Sequence, residues 1–124
     1  MRSVAHSYAL GALTHITQVE KQPSISKDYG RLCLSFPTLV QVNGLRLAVA
    51  FYQSKAEGNR DSAHGQYLSN LGDTIGFTLW DVKYIFPEKF TAYSSLSKQA
   101  LAASVWYKRY AEAILKVDVT DLDN

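Results

Sequence analysis

The chain holds one cysteine and three histidines in 124 residues, and only 19% of its residues are charged. Each scarcity excludes something. A lone thiol, Cys33, cannot close an internal disulfide, so nothing in the sequence asks for an oxidising compartment. Amid apolar neighbours it reads as a core filler and not as a nucleophile. None of His6, His15 and His64 has a second histidine or a cysteine three or four residues away, the spacing that metal-binding helices use, so no metal is expected. His15 borders an apolar helix face and reads as a satisfied, partly buried side chain. There is no phosphate-cradling glycine loop ending in Lys-Ser/Thr, no dinucleotide fingerprint and no nucleophile elbow. No pair of carboxylates is placed to divide acid and base roles. The sequence therefore predicts no catalytic residue, no cofactor and no enzymatic activity. The amino-terminal stretch is apolar, but His6, Ser7, Thr14, His15 and Thr17 break any run long enough for a secretory core or a membrane span. A cytoplasmic protein with no membrane partner is expected.

What remains is a globular composition, 47% hydrophobic, in a chain long enough for one core of packed helices. The predicted organisation is a single helical domain over residues 1–116 and an acidic, flexible tail over 117–124. Three aspartates, Asp118, Asp121 and Asp123, fall in that tail. Net charge is +2, but the body up to residue 117 holds 13 basic against 8 acidic residues. A mildly basic body is compatible with a polyanionic partner without requiring one.

Apolar periodicity predicts an all-α protein, a bundle of about five to six helices. Residues 3–21 place Ala5, Tyr8, Ala9, Ala12, Ile16 and Val19 on one face, and Pro23 ends that helix. A second helix follows Ser24 or Ser26, either of which could cap it. It gathers Tyr29, Leu32, Cys33, Phe36, Leu39 and Val40, with a kink or short break expected ahead of Pro37. Leu10 and Leu34 fall on the outer faces of these two helices, which suggests surface covered by another chain. After Asn43-Gly44, the run LRLAVAFY from Leu45 to Tyr52 is apolar nearly all round and reads as a helix at the centre of the bundle. Residues 55–62 read as a loop, 63 to about 78 as a fourth helix, and 79–90 as a short helix and a turn around Pro87. A last helix runs from Leu96 to Leu115 with Ser94 or Ser95 as its cap.

That last helix has two faces. Advancing 100° per residue, Ala100, Ala103, Tyr107, Tyr110, Ala111 and Ile114 share one side, and Lys98, Arg109 and Lys116 fall within about 20° of one another on the other. Such a line could follow a phosphate backbone, with Lys108 flanking it and Trp106 at the boundary between core and solvent. It could equally be the solvated face of any bundle helix, and Glu112 is spaced to pair with Arg109 or Lys116. Lys27 and Arg31 form a second, shorter basic pair on helix two.

The segment YSSLSKQALAASVWYKRYAEAIL, Tyr93 to Leu115, resembles the carboxy-terminal signature of the small subunit of the type III-B CRISPR (Cmr) effector complex. Tyr93, Ala100, Leu101, Trp106, Lys108, Arg109, Tyr110 and Ala111 carry the match. The run FPTLVQVNGLRLAVAFYQSK is similar to the middle of that family, whereas Gln99 stands where the family has Glu. The resemblance implies a non-catalytic, all-helical, RNA-binding subunit of an antiviral ribonucleoprotein. Such a subunit self-associates in stacked copies beside the other Cmr subunits and contacts the backbone of the guide and target RNA. Carried over to this sequence, the RNA-facing residues it implies are Lys108 and Arg109, with Arg46 as a further candidate. A helical adaptor between proteins, without nucleic-acid contact, is the other reading that the residues leave open.

Overall fold

Ser3 opens the first helix by accepting the His6 N–H at 3.0 Å, which satisfies one of the amide donors that every helix start leaves orphaned. The computed structural model describes residues 3–77, 80 and 90–123. Among them it holds α1 (Val4–Glu20), α2 (Ser26–Asn43), α3 (Leu45–Ala56), α4 (Ala63–Ile75) and α5 (Phe90–Tyr110). The described residues contain no strand, so the all-α expectation holds. Among the described residues no helix is long and apolar enough to cross a membrane. Apart from Trp80 and Phe90, the expected helix and turn at 79–90 lie outside the described residues.

Several boundaries differ from the sequence reading. Neither Ser24 nor Ser26 caps α2: the N-cap is Ile25, whose side chain has no acceptor, and the Ile25 and Ser26 amides both donate to the Gln22 carbonyl of the preceding turn. Ser94 and Ser95 are not caps either, because α5 begins earlier, at Phe90. Helix α2 runs through Pro37 without a break. Proline removes the amide that would have reached the Cys33 carbonyl, and beside it the Tyr52 hydroxyl donates to the Leu32 carbonyl at 2.8 Å. Gly44 then turns the chain with φ +86, a conformation costly for any residue with a Cβ, so that α3 starts one residue after α2 ends.

Helix α5 is the centre, packing against α1, α2 and α4. Its Ala100, Ala103 and Tyr107, and Ala111 just beyond its end, are buried as the angular reading expects, with Tyr110 and Ile114 half-buried. The small alanines let neighbouring helices approach, and aromatic rings fill the remaining space. Tyr67 stands in the middle of that filling, its ring centroid 5.2 to 5.7 Å from those of Phe36, Tyr107, Tyr29 and Tyr52. Edge-on and tilted geometries of this kind suit the ring quadrupoles. Cys33 lies fully inside the same core, where burial pushes its thiol pKa well up.

Two expectations about the apolar surface are corrected. Leu34 is buried and Leu10 half-buried, so neither marks an uncovered outer face, and Ala5 is exposed. Leu34 is covered because α2 is enclosed on several sides, by α3, α4, α5 and the end of the chain. The segment Leu45–Tyr52 is helical as expected but is not central. Leu45, Ala48, Val49 and Tyr52 face the core, while Leu47 and Phe51 are exposed.

Beyond Tyr110 the helix widens into a π-helical turn, Ala111–Leu115, which stops at Lys116 in the left-handed region, φ +60. Val117 then buries itself against Gly30 of α2, where a Cβ would come within 2.8 Å of the valine methyl. A short 3₁₀ turn, Val119–Asp123, follows on the same helix.

Candidate nucleic-acid interface

The seven basic residues singled out in the sequence divide into four groups. Lys98 and Arg109 lie on the exposed strip of α5 together with Ala102 and Val105, all four open to solvent. Eleven helical residues separate the two cations, about 16 Å along the axis. Lys108 is half-buried at the edge of this strip. None of the three makes an ion pair among the described residues, and Glu112, spaced to neutralise Arg109 or Lys116, pairs with neither.

Lys116 is exposed and likewise without an ion pair among the described residues, but it leaves the line expected of it. A line through all three cations requires 100° per residue as far as residue 116. A π-helical turn closes over five residues instead of four, so each residue rotates less, and the left-handed Lys116 then redirects the chain. The straight cationic line is therefore Lys98 to Arg109, with Lys116 beyond its end.

The second pair is neutralised from within the chain. Lys27 Nζ lies 3.3 Å from Asp121, and Arg31 lies 2.8 Å from Asp28. Donation by the Asp118 amide, then Lys27, holds the Asp121 carboxyl below the usual carboxylate range. The periodicity of α2 could not reveal this, because the neutralising carboxylate of Lys27 comes from the other end of the sequence. Arg46 takes another arrangement. Its guanidinium sits 5.7 Å over the Tyr93 ring, and its backbone amide donates to the Tyr93 hydroxyl at 3.0 Å. Trp106 is half-buried and stacks on Tyr110, at a centroid distance of 6.2 Å and 27° between planes.

A polar cluster that periodicity did not reveal lies inside the bundle. His15 Nδ1 approaches the Tyr107 hydroxyl at 2.6 Å, Thr74 shares that oxygen at 2.7 Å, and Tyr107 donates to the Asn70 carbonyl at 3.0 Å. On its other edge His15 Nε2 lies 3.2 Å from Asp73. Burial lowers the histidine pKa, and Asp73 pulls it part of the way back. Asn70 also donates to Tyr29, so the cluster joins α1, α2, α4 and α5. Its polar atoms bond to each other across helices, and among the described residues no three of His, Cys, Asp and Glu gather as a metal would need. This arrangement fastens helices.

The sequence and the fold both have relatives. Residues 4–114 match the CRISPR-associated Cas_Cmr5 family. The Thermus thermophilus protein named CRISPR system Cmr subunit Cmr5 is 29% identical over 93 residues, which are 72% of this chain and 76% of that one. The crystal structure of a CRISPR-associated Cmr5 family protein from Thermus thermophilus superposes with a TM-score of 0.76 at 26% identity, covering 91% of this chain and 98% of the other. With the family match running through nearly the whole helical bundle, the chain belongs to the Cmr5 family of CRISPR-associated proteins.

Proposed function

We propose that this chain is the non-catalytic small subunit of a type III-B Cmr effector complex in antiviral defence. Copies of it stack along the complex, and the exposed strip of α5 steadies the guide and target RNA by contacts to phosphates. One observation carries the RNA part of this reading: Lys98 and Arg109 remain exposed and without an ion pair among the described residues, although Glu112 is close in sequence. Contacts of this kind position a backbone without reading bases, so binding is independent of sequence and falls steeply with salt. Lys108 and Lys116 flank the strip and add to it. Lys27 and Arg31 contribute little while Asp121 and Asp28 hold them.

The test reverses charge at Lys98, Arg109 and Lys116 in the assembled complex and follows target-RNA retention over a salt series. Retention should drop at every salt concentration, and the slope of log affinity against log salt should shrink by about 3 units. Unchanged retention would leave the second reading, a helical adaptor without direct nucleic-acid contact. That reading is favoured by exposed apolar side chains on α2 and α3.

A further inference from the structure

Three cations meet where the chain leaves α5 and crosses α2. Lys116 is exposed and without an ion pair among the described residues, and its left-handed backbone delivers Val117 into the buried contact with Gly30. Gly30 comes three residues after Lys27 and one before Arg31, so the chain passes over α2 between the two. Lys27 and Arg31 are four residues apart, about 6 Å along the axis, and share a face. The α2 pair thus stands beside Lys116, just past the end of the Lys98 to Arg109 strip.

One anion already occupies this place. Asp121 puts Oδ1 3.3 Å from Lys27 Nζ, and its Oδ2 accepts the Asp118 amide at 2.8 Å. That amide, then Lys27 and Arg31, favour the ionised carboxylate. Asp118 in turn accepts the Thr120 amide at 2.8 Å, which folds the 3₁₀ turn Val119–Asp123 on itself. Little fastens that turn to the bundle. Val119 and Leu122 are exposed, and the Lys27–Asp121 pair is its one polar bond to α2 among the described residues. The Lys27 side chain is 62% exposed in that pair, and exposed pairs are weak and screened by salt. Arg31 also has capacity to spare: one terminal nitrogen donates to Asp28 at 2.8 Å, while Nε, enclosed, has no hydrogen-bond partner among the described residues.

We propose that Lys27 and Arg31 form a phosphate site which Asp121 fills in the absence of RNA, and that the turn Val119–Asp123 swings off α2 when a backbone phosphate of RNA takes its place. The proposal rests on the RNA contact put forward above and extends that contact past Lys116 onto α2. Carboxylate and phosphate offer a lysine and a guanidinium the same kind of charged acceptor, and the planar fork of arginine suits either. Asp121 competes with the advantage of being tethered. A free anion lacks that advantage, but a phosphate of RNA already seated on Lys98 and Arg109 is tethered as well, so it competes on similar terms. Val117 keeps its buried contact, so the movement starts at Asp118 and leaves the bundle intact. The site opens to seated RNA and stays closed to stray anions.

Fluorescence anisotropy of a labelled single-stranded RNA, titrated with the isolated full chain at about 50 mM salt, tests this. Asp121→Asn should tighten binding about threefold, the size of an exposed ion pair that no longer has to break. In a Lys27→Gln chain the same substitution should change nothing, whereas a general loss of negative charge would help both chains alike. An equal gain with and without Lys27, or no gain, overturns the proposal. The carboxyl carbon resonance of Asp121 gives a second readout. RNA should move it to the position it has in the Lys27→Gln chain, and a resonance that stays fixed while RNA binds overturns the displacement. The strip on α5 is judged separately, by target-RNA retention after charge reversal at Lys98, Arg109 and Lys116. If retention falls there and Asp121→Asn gains nothing, the strip stands and this site falls. If retention is unchanged while the Lys27-dependent gain appears, this site stands and the strip falls. If no chain binds the RNA, this site falls whatever the assembled complex does.

Discussion

The Tyr107 hydroxyl lies 2.6 Å from His15 Nδ1, joining α5 to α1 across 92 positions of sequence. The same oxygen meets Thr74 and donates to the Asn70 carbonyl. Tyr67, in ring contact with Tyr107, is equally buried, yet its hydroxyl has no hydrogen-bond partner among the described residues. Two tyrosines of one core thus have opposite hydroxyl energetics. Tyr107→Phe should destabilise the fold by about 1–3 kcal/mol, since it strands buried partners, whereas Tyr67→Phe should be neutral or stabilising by up to about 1 kcal/mol. Urea denaturation of the two variants checks this, and equal losses would refute the assignment.

The His15 cluster also sets a pH dependence. Burial holds the folded-state pKa of His15 below its ordinary value of 6.5. The unfolded chain therefore binds more protons between that lowered value and 6.5, and stability rises with pH across the window. Read downward, the contribution is complete above 6.5 and is lost as pH falls toward the folded-state value. Asp73 moderates the loss by favouring the imidazolium. Asp73→Asn should deepen the drop in stability between pH 7 and pH 5, and His15→Gln should flatten it. Denaturation midpoints at the two pH values decide, and a His15→Gln profile parallel to wild type would contradict the account.

Helical periodicity made much of this fold legible. Tyr8, Ala12, Ile16 and Val19 in α1, and Ala100, Ala103 and Tyr107 in α5 with Ala111 just after it, repeat at the spacing of a buried stripe, and they are buried. What it missed depends on contacts between distant segments. Leu34 lies off the main stripe of α2 and is covered because α2 is enclosed on several sides. Lys27 looked like a solvated cation until Asp121 arrived beside it. The α5 strip was legible from Lys98 to Arg109, where the backbone keeps the period that the angle assumes. It failed at Lys116, because no side-chain pattern announces a π-helical turn. The His15–Asp73 pair spans 58 positions, and no local rule joins them.

The approach of Val117 to Gly30 yields a coupled prediction. Gly30→Ala would ordinarily strengthen a helix by about 1 kcal/mol. Here the added methyl meets Val117 at 2.8 Å, too close for ordinary contact, so the variant should instead lose about 1–3 kcal/mol as the chain end is pushed off α2. Val117→Ala in the same chain frees space and should recover part of that loss, giving a non-additive double-mutant cycle. Strict additivity would show that the two residues do not meet.

Lys116 allows structure and function to be separated. It holds φ +60, a left-handed conformation that costs a residue with a Cβ about 1–2 kcal/mol, and it ends the π-helical turn where glycine would do so without that cost. Lys116→Gly relieves the backbone but gives the unfolded chain more freedom to lose, so the net gain should be about 0.5–1 kcal/mol. The same substitution removes an exposed cation beyond the end of the α5 strip. In the assembled complex the variant should therefore be the more stable protein and the weaker holder of target RNA, with the salt slope reduced by about 1 unit. Raised stability with unchanged RNA retention would confine the cationic surface to Lys98, Lys108 and Arg109. Lowered stability would mean that the Lys116 side chain holds the chain end by contacts that outweigh its backbone strain.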